Sequence, residues 1–152
     1  MASSNEKPFT ALVAVDGSAR ASDVVKAAAT FVRALRGTIV LYCGVSTPSD
    51  FTPAGVKNEI DLPGYLLQKA RTETNALRVF ASDVACVVRV EPITEPWIGI
   101  LAAADAVDAA LIVLGSHGYR GWDRVLGTTA GRVANSSHRN VLVVHDRGDA
   151  GK

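Results

Sequence analysis

The chain is poor in cysteine, in aromatic residues and in surplus charge, and each shortage removes a class of protein. Two cysteines, Cys43 and Cys86, among 152 residues are too few for a disulfide scaffold. They also lack the close Cys/His spacing of a zinc site. A reduced, cytoplasmic compartment is the simpler expectation. The formal net charge is +1, so no broad basic face is demanded and nucleic acid is not expected as a partner. No apolar run reaches the roughly 20 residues of a membrane-spanning helix. The opening MASSNEKPFTALVAV has neither the basic n-region nor the long apolar run of a signal peptide. A membrane is therefore not an expected partner. G-x-x-x-x-G-K-[ST] is absent, which excludes a P-loop, and G-x-S-x-G is absent, which excludes a nucleophile elbow. His117, His138 and His145 are scattered, with no pair at helical metal-binding spacing. No residue stands out as a general base.

Aliphatic residues fill the gap. Hydrophobic residues make up 48% of the chain and aromatics only 6%, so the core must be Ala, Val and Leu, as in parallel α/β layers. The length suits one domain spanning residues 1–152. Phe9 to Val15 reads as a first strand ending in Asp16-Gly17-Ser18, with Ser18 as N-cap of the next helix. Ala21, Val24, Val25, Ala28, Val32 and Leu35 form that helix's inward stripe, and Gly37 stops it. Thr38 to Cys43 is a second strand. Ser46 to Asp61, with Pro48, Pro53 and Gly55, is a long loop, either a binding segment or a plain connection. Pro63 opens a second helix with Leu66, Ala70, Leu77 and Phe80 or Ala81 inward. Ala85 to Val90 is a third strand, ended by Glu91-Pro92. Pro96 opens a third helix with Trp97, Ile100, Leu101 and Ala104 inward. Ala109 to Leu114 is a fourth strand and Val141 to Val144 a fifth, with a helix-compatible stretch, Ala130 to Asn135, between them. This alternation predicts an α/β fold with a doubly wound parallel sheet.

The stretch GSHGYRGWDRVLGTTAGRVANSSHRNVLVV carries the chemistry. A strand feeds into Gly115, Gly118, Gly121 and Gly127, and a helix start follows at Thr128 and Thr129. Glycine lets the main chain approach an anion closely, and a helix start offers unpaired N–H donors at its positive end. Arg120 and Arg124 flank the loop. His117 reads either as a phosphate or ribose contact or as a donor that shapes the turn.

Taken together, G-S-H-G, then G-T-T at a helix start, then V-L-V-V closely resemble the C-terminal signature of the universal stress protein family, nucleotide-binding type. The resemblance covers about residues 9–145 and implies a three-layer, Rossmann-like fold with a five-stranded sheet ordered 3-2-1-4-5. It implies that Gly115, Ser116, His117, Gly118, Arg120, Gly121, Gly127, Thr128 and Thr129 wrap the phosphates and ribose of ATP, or of AMP. It implies a ribose or base contact from Asp16 and a pocket wall from Ala14. It also implies a backbone contact to adenine from Cys43, with Val45 as the alternative. Asp16 and Gly115 would then face each other across one crevice. Any Mg²⁺ would be held mainly by the phosphates and water. The spacer from Tyr119 to Leu126 is one residue shorter than the family's usual one. Family members pair their last strands in homodimers, which would cover the apolar edge Val141–Val144. Three functions stay open: an ATP-binding stress-response regulator, a dimeric interaction protein without nucleotide, and a slow ATPase, against which the missing base counts.

Overall fold

The computed structural model describes residues 6–47, 61–116 and 126–145. Its elements run β1 (Thr10–Ala14), α1 (Ala21–Ala34), β2 (Thr38–Ser46), α2 (Leu62–Ala76), a short 3-10 turn (Leu77–Ala81), β3 (Ala85–Ile93), α3 (Pro96–Ala106), β4 (Leu111–Gly115), α4 (Thr128–Ser136) and β5 (Asn140–Val144). Every strand pairing is parallel, and the order is β3-β2-β1-β4-β5, as the resemblance implies.

Burial explains why β1 and β4 are central. Ala11, Leu12 and Val13 on β1, and Ile112 and Val113 on β4, are fully buried. Apolar residues on both faces suit only a strand covered from both sides. Alternation then splits the core in two. Ala11 and Val13 meet Val25, Ala28 and Val32 of α1 on one face. Leu12 meets Ile100 and Ala104 of α3 and Val133 of α4 on the other. Alanine at these contacts lets the helices sit close to the sheet without aromatic filler.

Several local expectations change. Ser18 does not cap α1. The Asp16 side chain accepts from the Ser18 N–H at 3.0 Å, and the turn continues to Arg20, which caps α1 without a side-chain hydrogen bond. A short carboxylate competing for nearby amides stabilises such a turn and delays the helix. Leu35 lies beyond the helix end and is 54% exposed. In α2 only Thr74 is fully buried; Leu66, Ala70 and Leu77 are half-buried. Of the alternatives Phe80 and Ala81, Ala81 is the inward one, and Phe80 lies under Lys26. Pro92 does not end β3. As an edge strand, β3 tolerates the missing N–H and runs to Ile93, paired throughout with a β2 that reaches Ser46. Cys43 and Cys86 lie on these neighbouring strands but oppose Val90 and Ile39, and both are free thiols. Among the described residues, no helix is long and apolar enough to cross a membrane.

The end of α1 divides the work expected of Gly37 between two residues. The Gly37 N–H donates to the Val32 carbonyl at 3.0 Å and the Arg36 N–H to the Arg33 carbonyl at 3.2 Å, a Schellman pair. The left-handed residue is Arg36, with φ 50. Gly37 is needed for another reason: a Cβ there would lie 2.5 Å from the Phe9 carbonyl oxygen. Arg36→Gly should therefore raise stability by about 1 kcal/mol, seen as a thermal midpoint about 2–4 °C higher. Gly37→Ala should lower stability by about 2 kcal/mol through the clash with Phe9. A drop in midpoint for Arg36→Gly would show that the cap is unstrained.

Candidate functional site

All five parallel strands end at one edge of the sheet. The chain leaves β1 for α1 on one face, and leaves β4 for α4 on the other. Adjacent strands whose connections diverge leave a crevice between them. A cavity of about 310 Å³ opens there, within the usual size of small-molecule pockets.

Four of the residues singled out in the sequence meet in its wall: Ala14 and Asp16 after β1, Gly115 at the end of β4, and Thr129 in the first turn of α4. Asp16 is oriented by the hydrogen bond its Oδ1 accepts from Ser18. At Gly115 an added Cβ would stand 3.4 Å from Val24 of α1, so its absence keeps the crevice open between β4 and that helix.

The neighbouring backbone behaves differently from the expectation. The Ser116 N–H donates to the Val144 carbonyl, and the Gly127 N–H donates to the Ser116 carbonyl, both at 2.9 Å. These two amides are consumed inside the protein. They form a clasp that holds both ends of the glycine-rich segment to the tip of β5, and the Ser116 side chain is buried beneath it. His117, Gly118, Arg120 and Gly121 lie outside the described residues, as does Arg124. Among the described residues, the amides of the first turn of α4 meet no acceptor. Gly127 is its N-cap and makes no side-chain cap hydrogen bond; its carbonyl accepts from Gly131 at 2.9 Å. The amides of Thr128, Thr129 and Ala130 belong to the first turn, where an α-helix supplies no intrahelical partner. Thr129 and Ala130 line the cavity, and Thr128 is exposed beside them.

α1 also starts at the crevice, and two of its first three amides are occupied by the turn before it. Ala21 donates to the Ser18 carbonyl at 3.2 Å, while Asp23 and Val24 donate to the Arg20 carbonyl at 3.0 and 3.3 Å. Asp16 and Asp23 put carboxylates on that side. The crevice thus has the carboxylates of Asp16 and Asp23, together with Arg20, beside α1, and the positive end of a macrodipole at α4.

Cys43 is not in the wall. Its thiol lies beside Thr74 of α2, and burial pushes its pKa up although the Thr74 hydrogen bond opposes this. It therefore stays a thiol near neutral pH rather than a reactive thiolate. Its neighbours Tyr42 and Gly44 line the cavity instead. With Ile93, Pro96 and Ile100 they form an apolar end where β2 and β3 overhang the shorter β1. His145, Arg20 and Asp23 also join the wall. Sequence reasoning missed His145, although a signal existed: it directly follows the last parallel strand, as Asp16 follows the first. Among the described residues, no three metal-ligating side chains cluster.

Comparison with known proteins agrees with this geometry. The model of the universal stress protein family matches residues 9–145. Universal stress protein UspA from Lactobacillus plantarum is similar in fold, with 22% identity, TM-score 0.73, and 92% of this chain and 99% of that one covered. A universal stress protein solved in complex with cAMP is 25% identical, with TM-score 0.58 and coverage of 91% and 97%. The universal stress protein from Archaeoglobus fulgidus in complex with dAMP is 25% identical, with TM-score 0.56 and coverage of 89% and 96%. No curated protein matches the chain. A family match over nearly the whole chain, on a sheet ordered β3-β2-β1-β4-β5, leads to one conclusion: this chain belongs to the universal stress protein family.

Proposed function

We propose that this protein is a cytoplasmic regulatory module that binds an adenine nucleotide, ATP or AMP, in the crevice between β1 and β4, as one domain spanning residues 1–152. One observation carries the reading: a single cavity is lined by an apolar end, an oriented carboxylate and the first turn of a helix. Those are the needs of a base, a ribose and a phosphate. The base enters the end walled by Tyr42, Ile93, Pro96 and Ile100. Ribose hydroxyls donate to Asp16. Phosphate oxygens accept from the first turn of α4, and the glycine-rich loop with His117, Gly118, Arg120 and Gly121 completes their cradle. Two similar proteins were solved with cAMP and dAMP, which supports adenine as the base. Mg²⁺ arrives with the phosphates, held mainly by them and by water. No residue stands out in the sequence as a general base, which favours slow turnover of ATP at most.

The protein works as a homodimer joined along β5. Val141, Leu142, Val143 and Val144 are each half-buried on this sheet edge, and an uncovered apolar edge invites a second strand. A competing reading, a dimeric interaction protein without nucleotide, draws support from the clasp, because Ser116 and Gly127 have no amide to spare.

Denaturing the purified protein should release an adenine nucleotide. Saturating ATP or AMP, at about a hundred times its Kd, should add about 2.7 kcal/mol of stability, read as a thermal shift absent with GTP. Asp16→Asn keeps the acceptor for Ser18 but loses the charge, so nucleotide affinity should fall about tenfold with the unliganded midpoint unchanged. No shift with any nucleotide would transfer the case to the interaction protein. Sedimentation should give twice the 15.9 kDa chain mass; a monomer at every micromolar concentration would remove the β5 dimer.

A further inference from the structure

Tyr42 is the anomaly of the cavity wall. Its side chain is 1% exposed, and its hydroxyl has no hydrogen-bond partner among the described residues. A buried hydroxyl without a partner destabilises a fold, so such a group needs a reason for being there. Phenylalanine would fill the same space without the penalty.

The surroundings supply the reason. Tyr42 lines the cavity at its apolar end with Ile93, Pro96 and Ile100. Room for the ring tip comes from Gly99 of α3, where a Cβ would stand 2.6 Å from the hydroxyl and 2.7 Å from Ile93 Cγ2. Gly44 of β2 makes the matching allowance, since a Cβ there would stand 2.5 Å from Ile93 Cδ1. Ile93 is thus slotted between two glycines, at the same corner as the phenol. Burial pushes the phenol pKa up to about 12, with the Glu91 charge adding to it, so the group keeps its proton at neutral pH. Glu91 itself is engaged by Arg89.

Building on the adenine-nucleotide reading above, we propose that the Tyr42 hydroxyl is a specificity-determining donor. It hydrogen-bonds an acceptor nitrogen on the edge of the base once the Ile93 side chain turns aside. The free protein carries the unsatisfied donor and the complex satisfies it. Removing the oxygen must then act in opposite directions on the two states, which no purely structural role for Tyr42 would do.

Tyr42→Phe is the test. Without ligand, its thermal midpoint should rise by about 2 °C or more. With AMP as probe, its Kd should rise about tenfold. Titration with deaza analogues of AMP, each lacking one ring nitrogen, identifies the acceptor. One analogue should bind the wild type about tenfold more weakly than AMP does, yet bind Tyr42→Phe as well as AMP does. Equal affinity of wild type and variant for AMP would overturn the donor role and leave the nucleotide reading standing. A lower unliganded midpoint in Tyr42→Phe would show the hydroxyl already satisfied, with the same consequence. A wild type that binds no adenine nucleotide would overturn both.

Discussion

The pairing of β1 with β4 is the constraint from which the site follows. Ala11, Leu12 and Val13 align in parallel with Leu111, Ile112 and Val113, and all but the half-buried Leu111 are fully buried. Parallel alignment puts the exits of both strands at one edge. Burial on both faces requires helices on both sides, so α1 and α4 leave in opposite directions. A crevice between them is then unavoidable, and whatever follows β1 and β4 in sequence must line it. Asp16 and Gly115 are those residues.

The two edges of the sheet's strands are finished differently. At the edge opposite the crevice, Arg139 on the approach to β5 closes the joint between α3 and β4. Its guanidinium donates to Asp105 and Asp108 at 3.1 Å and also to the Ala109 carbonyl. Asp108, at φ 48, ends α3 with the same backbone pairing that Arg36 gives α1. At the crevice edge the strands have unequal lengths. β2 and β3 overrun β1, and this overhang, with Gly44 and Gly99 making room for Ile93, creates the apolar end. The sheet is anchored at one edge and left open at the other, where the cavity lies.

Polarity within the crevice comes from how two helix starts spend their amides. The start of α1 is wound into a turn by Asp16, Ser18 and Arg20, which occupies the amides of Ala21 and Asp23 and leaves carboxylates in the wall. The start of α4 follows the Ser116–Gly127 clasp, and among the described residues its first-turn amides meet no acceptor. The same topology at both helices thus yields two differently built helix starts, through a difference of a few backbone hydrogen bonds.

Much of this was legible in the chain. Apolar runs bounded by glycine and proline marked the five strands, because a strand buried on both faces must be apolar throughout. Asp16 and Gly115 stood out because each directly follows such a run. The sequence by itself determined the α/β alternation, since this depends on periodicities carried by neighbouring residues, and the order of the strands came with the family resemblance. Tertiary structure alone decided that Tyr42 and Gly44 line the cavity. It alone decided that Ser116 gives its amide to Val144, that Pro92 sits inside an edge strand, and that Arg36 rather than Gly37 takes the left-handed turn. The physical reason is that the face a strand residue presents, and the freedom of an amide, depend on partners distant in sequence, which no local pattern encodes.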